Sequence, residues 1–595
     1  MTKAHNITID PNRDENLTDF GKVTLTNQYC LPGETFQEAF ARAANAFSAG
    51  DEALAQRLYD YASNQWFSFA TPLLANGGTN RGLPISCFLN YVDDSIDGLG
   101  KNFYENAFLS TNGGGIGTYW GHVRSIGEKT SRGVDTPGVM PFMHVQDAQV
   151  LAYHQGATRR GAAAVYMDVS HPEINEFINM RSSTGGDVHR KNENLHHGVC
   201  TPDSFMEAVA NNADWDLVDP HSKRVRSTVK ARELWIKILQ QRVKLGEPYL
   251  FFVDTANKAL PQSQKDKGLY VNHSNLCTEI TLPTNKDRTA VCCLSSVNVA
   301  KVDEWWQHRE QFIADLITML DNTIDVFCEK APEAMWRAVA SAKAERSLGL
   351  GTLGFHTWLQ LNNIAMDSIE AQDFNQEFYS ELHRLAKKAS RRLAQERGEP
   401  EDMKGTGMRN AHLLAVAPNA SSSIICGGVS PSIEPLAANA FTQKTKAGSH
   451  EVRNHALAAL LAELGKNTEE VWASIAVNKG SVQHLDFLSA KEKKVFLTAT
   501  ETDAQVMIDL AAQRQPYICQ AQSVNLFLPS DVSARQLHQT HFSAWKKGLK
   551  SLYYLRSTSV KATGVGVLPE VLKTEEPIVE GKMCGIEPGC TSCEG

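Results

Sequence analysis

Asn275, Cys277 and Glu279 place an amide, a thiol and a carboxylate at alternate positions of the chain. If this stretch is an extended strand, the three side chains point to one face, because strand side chains repeat every two residues. A thiol between a hydrogen-bonding amide and a potential base has the residue types of a reaction centre. The pattern alone has a second interpretation, since a single cysteine is often only a small buried hydrophobic residue.

Two further cysteines lie among strand-forming residues. Cys87 follows Pro84-Ile-Ser, and Cys292 lies in the run Ala-Val-Cys-Cys-Leu-Ser-Ser next to Cys293. Each of them alone fits a buried core thiol. Taken together with the amide, thiol and acid of the first motif, they favour a thiol-based reaction centre.

The C-terminus carries Cys590-x-x-Cys593 with Cys584 close by. Such a pair is typical of dithiol–disulfide exchange or of metal binding. A structural zinc site needs four ligands, and this stretch supplies three cysteines and no histidine. We therefore interpret it as a dithiol shuttle on a flexible tail, and we predict no metal site in the chain.

Three consecutive hydroxyl side chains, Ser421, Ser422 and Ser423, follow an apolar run. Hydroxyls and free backbone N–H groups suit a phosphate if a helix begins there, whereas helix capping explains only one serine. Thr71 and Ser86 are additional candidate hydroxyls for the same phosphate.

Two glycine-rich stretches remain open in function. The run Asn112 to Gly117 is neither a P-loop nor a dinucleotide fingerprint, so it indicates a phosphate contact, a tight turn or a close approach of two backbones. The stretch from Gln155 to Ala163 contains Arg159 and Arg160, which fit an anion-binding loop or a solvated basic turn.

Tyr553 and Tyr554 are adjacent in the chain. Two adjacent tyrosines on a strand usually mean that one ring lies inside a core and the other outside, but near a thiol centre they could relay an oxidising equivalent.

The composition is that of an ordinary globular chain. It has 595 residues, 42% of them hydrophobic and 21% charged, and its net charge of −8 argues against a general nucleic-acid binder. No apolar run approaches the ~20 residues of a membrane span. No signal peptide is recognisable and the cysteines are dispersed, so we expect a cytoplasmic protein with reduced thiols.

The chain divides into three parts. Residues 1–80 predict a helical region, in which Thr35 and Glu38 form a capping box and Asp51 caps a second helix. Residues 81–560 alternate strands and helices, which favours an α/β fold with a largely parallel sheet closed into a barrel. Residues 561–595 form the tail. The predicted strands are Ile85–Val92, Ala163–Val169, His197–Thr201, Tyr249–Val253, Val291–Val299, Leu350–Phe355, Leu413–Ala417, Val524–Leu528 and Leu549–Leu555, and a clear helix runs from Phe374 to about Gly398.

The ordered set of motifs resembles the large, catalytic subunit of a class I ribonucleotide reductase over residues 25–595. These motifs are LPISC, NLCTEI, AVCCLSS, PNASSS, YYLRS and the terminal C-x-x-C. The resemblance implies a ten-stranded α/β barrel with a central finger loop, behind a helical N-terminal region. It implies a ribonucleoside-diphosphate reductase that forms 2′-deoxyribonucleotides by thiyl-radical chemistry.

The resemblance also implies roles for the candidate residues. Cys277 would carry the thiyl radical, Glu279 would act as base on the 3′-OH and Asn275 would hold the ribose hydroxyls. Cys87 and Cys292 would be the reducing pair. The remaining implied roles are radical transfer by Tyr553 and Tyr554, reduction of the disulfide by Cys590 and Cys593, and phosphate binding by Thr71, Ser86, Ser421, Ser422 and Ser423.

Implied partners are a radical-generating di-metal small subunit, thioredoxin or glutaredoxin, and a second copy of the chain. No redox cofactor is expected on the chain itself. A nucleoside triphosphate would act as specificity effector at Asp94, Arg159 and Arg160. The family's N-terminal ATP-binding cone is not recognisable, so we expect no dATP inhibition through such a domain.

Three departures and three alternatives stay open. Cys293 leaves the partner of Cys87 undecided, Ala420 stands where relatives often carry a glutamate, and Cys584 is an additional tail thiol. The runner-up function is a cobalamin-dependent reductase that needs no small subunit, against which the two tyrosines argue. A glycyl-radical enzyme lacks its motif here, and a non-catalytic nucleotide sensor would not need every catalytic side chain.

Overall fold

The computed structural model describes residues 7–153, 155, 161–445, 448–529 and 531–557. Five predicted functional residues lie outside the described residues: Arg159, Arg160, Cys584, Cys590 and Cys593. The other candidate residues all lie within them.

The N-terminal helices begin where the sequence provides capping side chains. The Thr35 hydroxyl accepts from the Glu38 backbone N–H, and the Glu38 carboxylate accepts from the Thr35 backbone N–H at 2.8 Å, which confirms the capping box. Asp51 caps the next helix, as predicted. The α-helices are α1 (Asp19–Gln28), α2 (Phe36–Ala46), α3 (Glu52–Ser63), α4 (Thr71–Asn76), α5 (Ile96–Thr111), α6 (Met140–Ala152), α7 (Ile174–Ile178), α8 (Asp203–Asn211), α9 (Ala231–Leu245), α10 (Val253–Lys258), α11 (Gln262–Asp266), α12 (Val302–Trp305), α13 (Arg309–Lys330), α14 (Trp336–Glu345), α15 (Phe355–Leu361), α16 (Ile369–Arg397), α17 (Ala420–Ile425), α18 (His455–Glu463), α19 (Glu469–Val477), α20 (Ala490–Val495), α21 (Ala504–Arg514) and α22 (Ala534–Lys546).

The strands form one large curved sheet and three small pairs. They are β1 (Phe67–Phe69), β2 (Cys87–Tyr91), β3 (Gly115–Tyr119), β4 (Ala162–Asp168), β5 (His196–Thr201), β6 (Asp214–Val218), β7 (Val225–Lys230), β8 (Tyr249–Phe252), β9 (Ala290–Asn298), β10 (Leu348–Leu353), β11 (Ala440–Thr445), β12 (Gly448–Arg453), β13 (Leu526–Leu528), β14 (Ser551–Leu552) and β15 (Leu555–Ser557). Strands β2, β3, β4, β5 and β8 are parallel neighbours and make one half of the barrel. At its two edges, β9 pairs antiparallel with β2, and β14 pairs antiparallel with β8.

The second half of the barrel is completed partly by extended segments. β10 lies parallel to β9, Leu414 bridges Leu350, and Gln522 bridges Val416. The backbone N–H of Tyr553 donates to Val524 O at 2.9 Å, which joins the last segment to the chain after β14. The ring therefore closes, and the predicted ten-stranded α/β barrel is confirmed, although the predicted strand Leu413–Ala417 contributes single bridges rather than a full ladder.

One barrel strand was missing from the sequence prediction. β3 is Gly-Ile-Gly-Thr-Tyr and lies at the end of the glycine-rich run that we had left open. Glycine is depleted in strands, so propensity argued against a strand at this position. Buried tertiary neighbours on both sides decide the local conformation instead, because β3 lies between β2 and β4.

Helices cover the outside of the barrel. The predicted long helix is α16, which ends at Gly398 and packs against α13 and α21. A separate apolar cluster, which includes Leu457, Trp472 and Phe496, holds together the helices after β12. Among the described residues, no helix is both long and apolar enough to cross a membrane.

Candidate active site

The residues Asn275 to Glu279 lie in a buried loop between α11 and β9, inside the barrel. They form a turn and not a strand: Thr278 N–H donates to Asn275 O at 3.4 Å, and Thr278 has a φ of +69°. The extended conformation considered for this stretch is therefore wrong. A finger inside a barrel has no neighbouring strand to pair with, so its conformation is set by contacts with the surrounding wall. We call residues 271–284 the finger loop.

Glycines of β3 make room for the finger loop. A Cβ atom on Gly117 would lie 2.2 Å from Ser274 O and 2.8 Å from the Asn275 Cα. A Cβ on Gly115 would meet the Leu276 side chain at 3.1 Å. Of the meanings considered for the glycine-rich run, the close approach of two backbones is the one that the structure supports.

Hydroxyl groups of the barrel wall bind the loop through its backbone carbonyls. The Tyr166 hydroxyl donates to Asn275 O at 2.5 Å, Ser523 Oγ donates to Cys277 O at 2.5 Å, and Ser551 Oγ donates to Thr278 O at 2.8 Å. Ala521 N–H adds a bond to Glu279 O at 2.8 Å. Both halves of the barrel therefore hold the loop, which fixes the position of Cys277.

Cys87 and Cys292 are directly opposed on the antiparallel strands β2 and β9. Opposed residues of such a pair have Cα atoms ~4.5–5.5 Å apart, which is within the Cα range of ~4.4–6.8 Å for disulfides. Both thiols are buried, and the Asn275 amide lies 3.8 Å from the Cys87 sulfur. The two thiols can therefore be oxidised to a disulfide next to the finger loop.

Cys293 points to the other face of β9, because successive strand side chains alternate. Its surroundings are α13, where Thr323 and Asp321 affect its ionisation, and burial raises the pKa of its thiol well above the ordinary value. Strand register thus places Cys292, and not Cys293, opposite Cys87.

Glu279 is a buried carboxylate with one oxygen available. Ser523 Oγ donates to its Oε2 at 3.2 Å, and Oε1 is buried with no hydrogen-bond partner in the described part of the chain. Burial raises the pKa of Glu279 to about 7, and the side chains of Asn275 and Ser523 oppose that shift. A carboxylate of this kind can accept a proton near neutral pH.

Tyr553 and Tyr554 follow β14 and pack on each other with ring centroids 4.3 Å apart. Tyr249 of β8 contacts both rings, at 4.9 and 5.1 Å. Tyr553 is buried in the same apolar cluster as Cys277, whereas Tyr554 is only partly buried. The Tyr554 hydroxyl lies 3.2 Å from His196 Nδ1. No local pattern indicated a role for Tyr249 or His196, which lie far from the tyrosine pair along the chain.

The charged side chains beside Tyr554 form one network. His196 Nδ1 is 2.6 Å from a carboxylate oxygen of Glu247, and Arg181 pairs with the same carboxylate. These contacts hold the pKa of Glu247 well below its ordinary value despite burial. The outer tyrosine therefore lies beside a fixed charge pair, unlike the thiols.

The three predicted phosphate serines lie on the short helix α17 and are largely buried. Asn419 precedes them with a φ of +55°, and its side chain bonds Ser296 and Thr352 O. Helix α17 packs against β1, which leads into Thr71 at the start of α4, and Ser86 precedes β2. The structure thus gathers these hydroxyls around one side of the barrel.

Asp94 lies just before α5 and already has basic side chains as neighbours. Arg124 Nε donates to its carboxylate at 2.9 Å, and His221 Nδ1 lies 3.3 Å away. Burial nevertheless raises the pKa of Asp94. Sequence reasoning missed Arg124 and His221, because nothing in their local pattern connects them to Asp94.

Two models of ribonucleotide reductase domains match the chain. Residues 85–406 and 400–555 match the ribonucleotide reductase barrel domain, and residues 15–82 match the ribonucleotide reductase all-alpha domain. Among solved structures, the Actinobacillus ureae class Id ribonucleotide reductase alpha subunit has a TM-score of 0.82 and 37% identity, and the match covers 93% of this chain and 98% of that one.

Viral relatives agree with this result. The ribonucleoside-diphosphate reductase large subunit of Invertebrate iridescent virus 3 is 40% identical, with 99% of this chain and 100% of the relative covered. A protein of Frog virus 3 (isolate Goorha), whose name marks it as a candidate ribonucleoside-diphosphate reductase large subunit, is 46% identical over 95% of this chain and 96% of its own length.

Proposed function

The chain belongs to the ribonucleotide reductase family as a class I large subunit, and we propose how its own residues reduce a ribonucleoside diphosphate to the 2′-deoxyribonucleotide. One arrangement carries the proposal. Cys277 lies on a fixed finger loop, which Cys87 and Cys292 border on one side and Tyr553 on the other. A radical carrier, a source of two electrons and a route for an oxidising equivalent thus converge at one place.

Cys277 is the proposed hydrogen-abstracting group. The oxidising equivalent comes from a separate small subunit, as in all class I enzymes, and removes the hydrogen atom of the Cys277 thiol. The thiyl radical then takes the 3′ hydrogen of the ribose and returns it at the end of the cycle. Burial of Cys277 supports this role, because it keeps water and dissolved reductants away from the radical.

Glu279 is the proposed base on the 3′-OH, and Asn275 binds the ribose hydroxyls. The unpaired Oε1 of Glu279 is buried, so a substrate hydroxyl is a suitable partner for it. The Asn275 amide is held by Ile280 N–H at 3.2 Å, which orients its Nδ2 toward Cys87.

Cys87 and Cys292 are the proposed reductants. Cys87 gives a proton to the departing 2′-OH, which leaves as water, and the two thiols lose two electrons and two protons as the disulfide forms. The C2′ carbon gains the hydrogen that replaces the hydroxyl. Register on β2 and β9 supports the pairing, since the sulfurs need no strand movement to meet.

Tyr553 and Tyr554 are the proposed path of the oxidising equivalent to Cys277. The ring contact, with centroids 4.3 Å apart, and the change from a partly buried to a buried ring support the direction from Tyr554 to Tyr553. Substrate phosphates are assigned to Thr71, Ser86, Ser421, Ser422 and Ser423. Ala420 stands beside these serines, at the position for which the resemblance implies a glutamate, so the phosphate site can differ in detail. We propose that the substrate is nevertheless the diphosphate.

A specificity effector and a homodimer are proposed together. Asp94, with Arg159 and Arg160, would bind a nucleoside triphosphate at the start of α5. Beyond Asp94, α5 and α6 contact each other and expose large apolar side chains, among them Ile96 (82% exposed), Tyr104 (60%) and Leu151 (63%). An exposed apolar patch of this kind supports pairing with a second copy.

The tail completes the proposed cycle. Residues 561–595 with Cys590 and Cys593 would reduce the active-site disulfide and be reduced in turn by thioredoxin or glutaredoxin. This thiol cycle requires a reducing compartment, so we propose a cytoplasmic location. We also propose that residues 1–80 form a separate helical region and that residues 81–560 form the catalytic barrel.

Reduction of a ribonucleoside diphosphate with and without a di-metal small subunit tests the proposal. We expect product only with the small subunit, with activity lower by at least about a thousandfold in Cys277→Ser and by about a hundredfold or more in Tyr554→Phe. If Tyr554→Phe were active with adenosylcobalamin alone, the class I mechanism would be wrong and the cobalamin alternative right.

A further inference from the structure

Gln520 is a fully buried amide between the finger loop and the reducing cysteines. It lies just before Gln522, which bridges Val416, and its side chain has three polar contacts. Its Nε2 lies 3.2 Å from Cys292 Sγ and 2.9 Å from Leu348 O, and its Oε1 accepts from Thr281 N–H at 3.1 Å. One side chain thus connects the loop of Cys277, the strand β10 and the sulfur of Cys292.

The partners of Gln520 fix the orientation of its amide. A backbone N–H can only donate and a backbone carbonyl can only accept, so Thr281 must face the oxygen and Leu348 must face the NH2 group. The second hydrogen of that NH2 group then points at Cys292 Sγ. The sulfur is therefore the acceptor, which is the arrangement that stabilises a negative charge on it.

The amide groups that face the two sulfurs of the reducing pair lie at different distances from them. The amide donor of Cys87, Asn275 Nδ2, is 3.8 Å away, whereas that of Cys292 is 3.2 Å away. In addition, the Asn275 amide is assigned to the ribose hydroxyls, while Gln520 is bound to backbone groups on both sides. Gly349 of β10 leaves space for Cys292 Sγ, since a Cβ there would lie 3.0 Å from the sulfur.

The solvent exposure of the two cysteines also differs. Cys87 is 5% exposed and Cys292 is 1% exposed, so a thiol that enters the active site meets the Cys87 sulfur first. Burial raises the pKa of the Cys292 thiol well above the ordinary value, and the Gln520 amide acts against this shift.

We propose that Gln520 sets the direction in which the Cys87–Cys292 disulfide is reduced, with attack on the Cys87 sulfur and departure of Cys292 as the thiolate. This inference rests on the proposed function, because it needs that disulfide to form in turnover. A disulfide breaks faster at the sulfur whose partner is the better-stabilised leaving thiolate. Gln520 is thus a positioning residue that makes Cys292 the leaving group.

The exchange balances in two steps. An attacking thiolate forms a bond to Cys87 Sγ while the Cys87–Cys292 bond breaks, and the electron pair of that bond remains on Cys292 Sγ, facing the Gln520 N–H. A second external thiolate then attacks the external sulfur of the mixed disulfide, which releases Cys87 as a thiolate, and both cysteines take up protons. Two external thiols are oxidised to one disulfide, and two cysteine thiols are restored.

The experiment uses the full-length chain with Cys590→Ser and Cys593→Ser, so that the tail does not compete. The oxidised protein is treated with β-mercaptoethanol for short times, free thiols are alkylated, and peptides are identified by mass spectrometry. We expect the β-mercaptoethanol adduct on Cys87 and alkylation on Cys292. In Gln520→Met we expect exchange about three- to tenfold slower and adducts on both cysteines.

Gln522→Met is the matched control. Gln522 is also a buried glutamine of this segment, but its amide donates to Ala511 O and Gln515 Oε1 instead of a sulfur. It should keep the rate and the adduct position of the parent protein. Equal slowing in both variants would mean that Gln520 only supports the fold, and an adduct mainly on Cys292 in the parent protein would overturn the proposal.

A pH profile separates charge stabilisation from packing. The alkylation rate of Cys292 in the reduced protein should rise at higher pH in Gln520→Met than in the parent or in Gln522→Met, and an unshifted profile would contradict the proposal. If no Cys87–Cys292 disulfide forms after turnover with the small subunit, the proposed function fails instead, so the two failures are distinguishable.

Discussion

Two sides of the barrel serve the same finger loop but are built from different interactions. We call Cys87 and Cys292 the thiol side, and Tyr249, Tyr553 and Tyr554 the tyrosine side. Strand register fixes the thiol side, where the sulfurs lie on paired backbones and are buried from water. Ring packing fixes the tyrosine side, which ends in a partly buried phenol beside the charged pair of Glu247 and Arg181.

The difference fits the role that we propose for each side. A disulfide needs two sulfurs at one defined distance, and backbone hydrogen bonds provide that distance. The proposed passage of an oxidising equivalent needs contact between rings, and the side chains of Tyr249, Tyr553 and Tyr554 provide it. Variants on the two sides should therefore fail in different ways, while loss of the Cys277 thiol between them should stop turnover.

Cys277→Ser should have the largest effect, because the alcohol cannot replace the thiol as a radical carrier. We expect reductase activity to fall by at least about a thousandfold, which corresponds to about 4 kcal/mol of barrier. Substrate binding and the oxidation of Cys87 and Cys292 by an added oxidant should be retained. Residual activity of more than a few per cent would show that Cys277 is not the carrier.

Tyr554→Phe should separate the two sides. Phenylalanine keeps the ring contacts of Tyr554 with Tyr553 and Tyr249 but has no phenolic hydrogen, so we expect activity to fall by about a hundredfold or more. The rate at which dithiothreitol reduces the Cys87–Cys292 disulfide should be unchanged, which is measured by thiol titration. A slowed exchange would mean that the two sides are coupled.

Gly117→Ala should displace the finger loop, because its Cβ would lie 2.2 Å from Ser274 O. We expect activity to fall by about ten- to a hundredfold, since a misplacement of about 1 Å at a reacting group can cost that much. Gly115→Ala is the graded control: its Cβ meets a movable leucine side chain at 3.1 Å, so it should lose less. Equal losses of activity in the two variants would contradict the proposal that Gly117 of β3 allows the close approach of the finger loop.

Glu279 predicts a pH dependence. With its pKa raised to about 7 by burial, the carboxylate is ionised only above that value. Steady-state activity should fall about tenfold per pH unit below pH 7 and level off above it. Glu279→Gln should have low activity without this slope, and a wild-type profile flat from pH 6 to 8 would exclude Glu279 as the base.

Ionisation of Glu279 favours activity but lowers the stability of the folded protein. A carboxyl whose pKa is raised in the folded protein binds more protons than in the unfolded chain between about pH 4.5 and 7, so stability falls as pH rises through that window. The full cost, about 3 kcal/mol, is present above pH 7. Glu279→Gln should thus melt higher than wild type at pH 8, and this difference should disappear near pH 4.5.

Cys293→Ala should have the smallest effect. Its side chain faces α13 and not the barrel interior, so we expect activity within about twofold of wild type and a stability loss of about 1 kcal/mol. Thermal unfolding and the reductase assay measure the two quantities. A loss of activity comparable to that of Cys292→Ala would mean that the vicinal pair exchanges roles.

The sequence predicted barrel strands such as β8, whose residues Tyr-Leu-Phe-Phe have high strand propensity, and it predicted the capping box of Thr35. It did not predict β3, because glycine has poor strand propensity and the need for it comes from a loop some 150 residues later, as the Gly117–Ser274 contact shows. The local pattern of Asn275 to Glu279 also left its conformation undecided, because tertiary contacts determine it.

The candidate site shows the same limit. Residue types identified Cys277, Glu279 and the two other thiols, but could not choose between Cys292 and Cys293 until strand pairing placed them on opposite faces. Gln520 and Tyr249 carried no signal, because their importance lies in contacts with residues distant in the chain. Long-range geometry of this kind is not encoded in local spacing.

Disulfide mapping after a single turnover tests the central claim most directly. The full-length chain with Cys590→Ser and Cys593→Ser is reduced, combined with its small subunit and given substrate without external thiol. We predict one Cys87–Cys292 disulfide for each deoxyribonucleotide formed, with Cys293 still a thiol. Deoxyribonucleotide formed without that disulfide, or with Cys293 in it, would contradict the account.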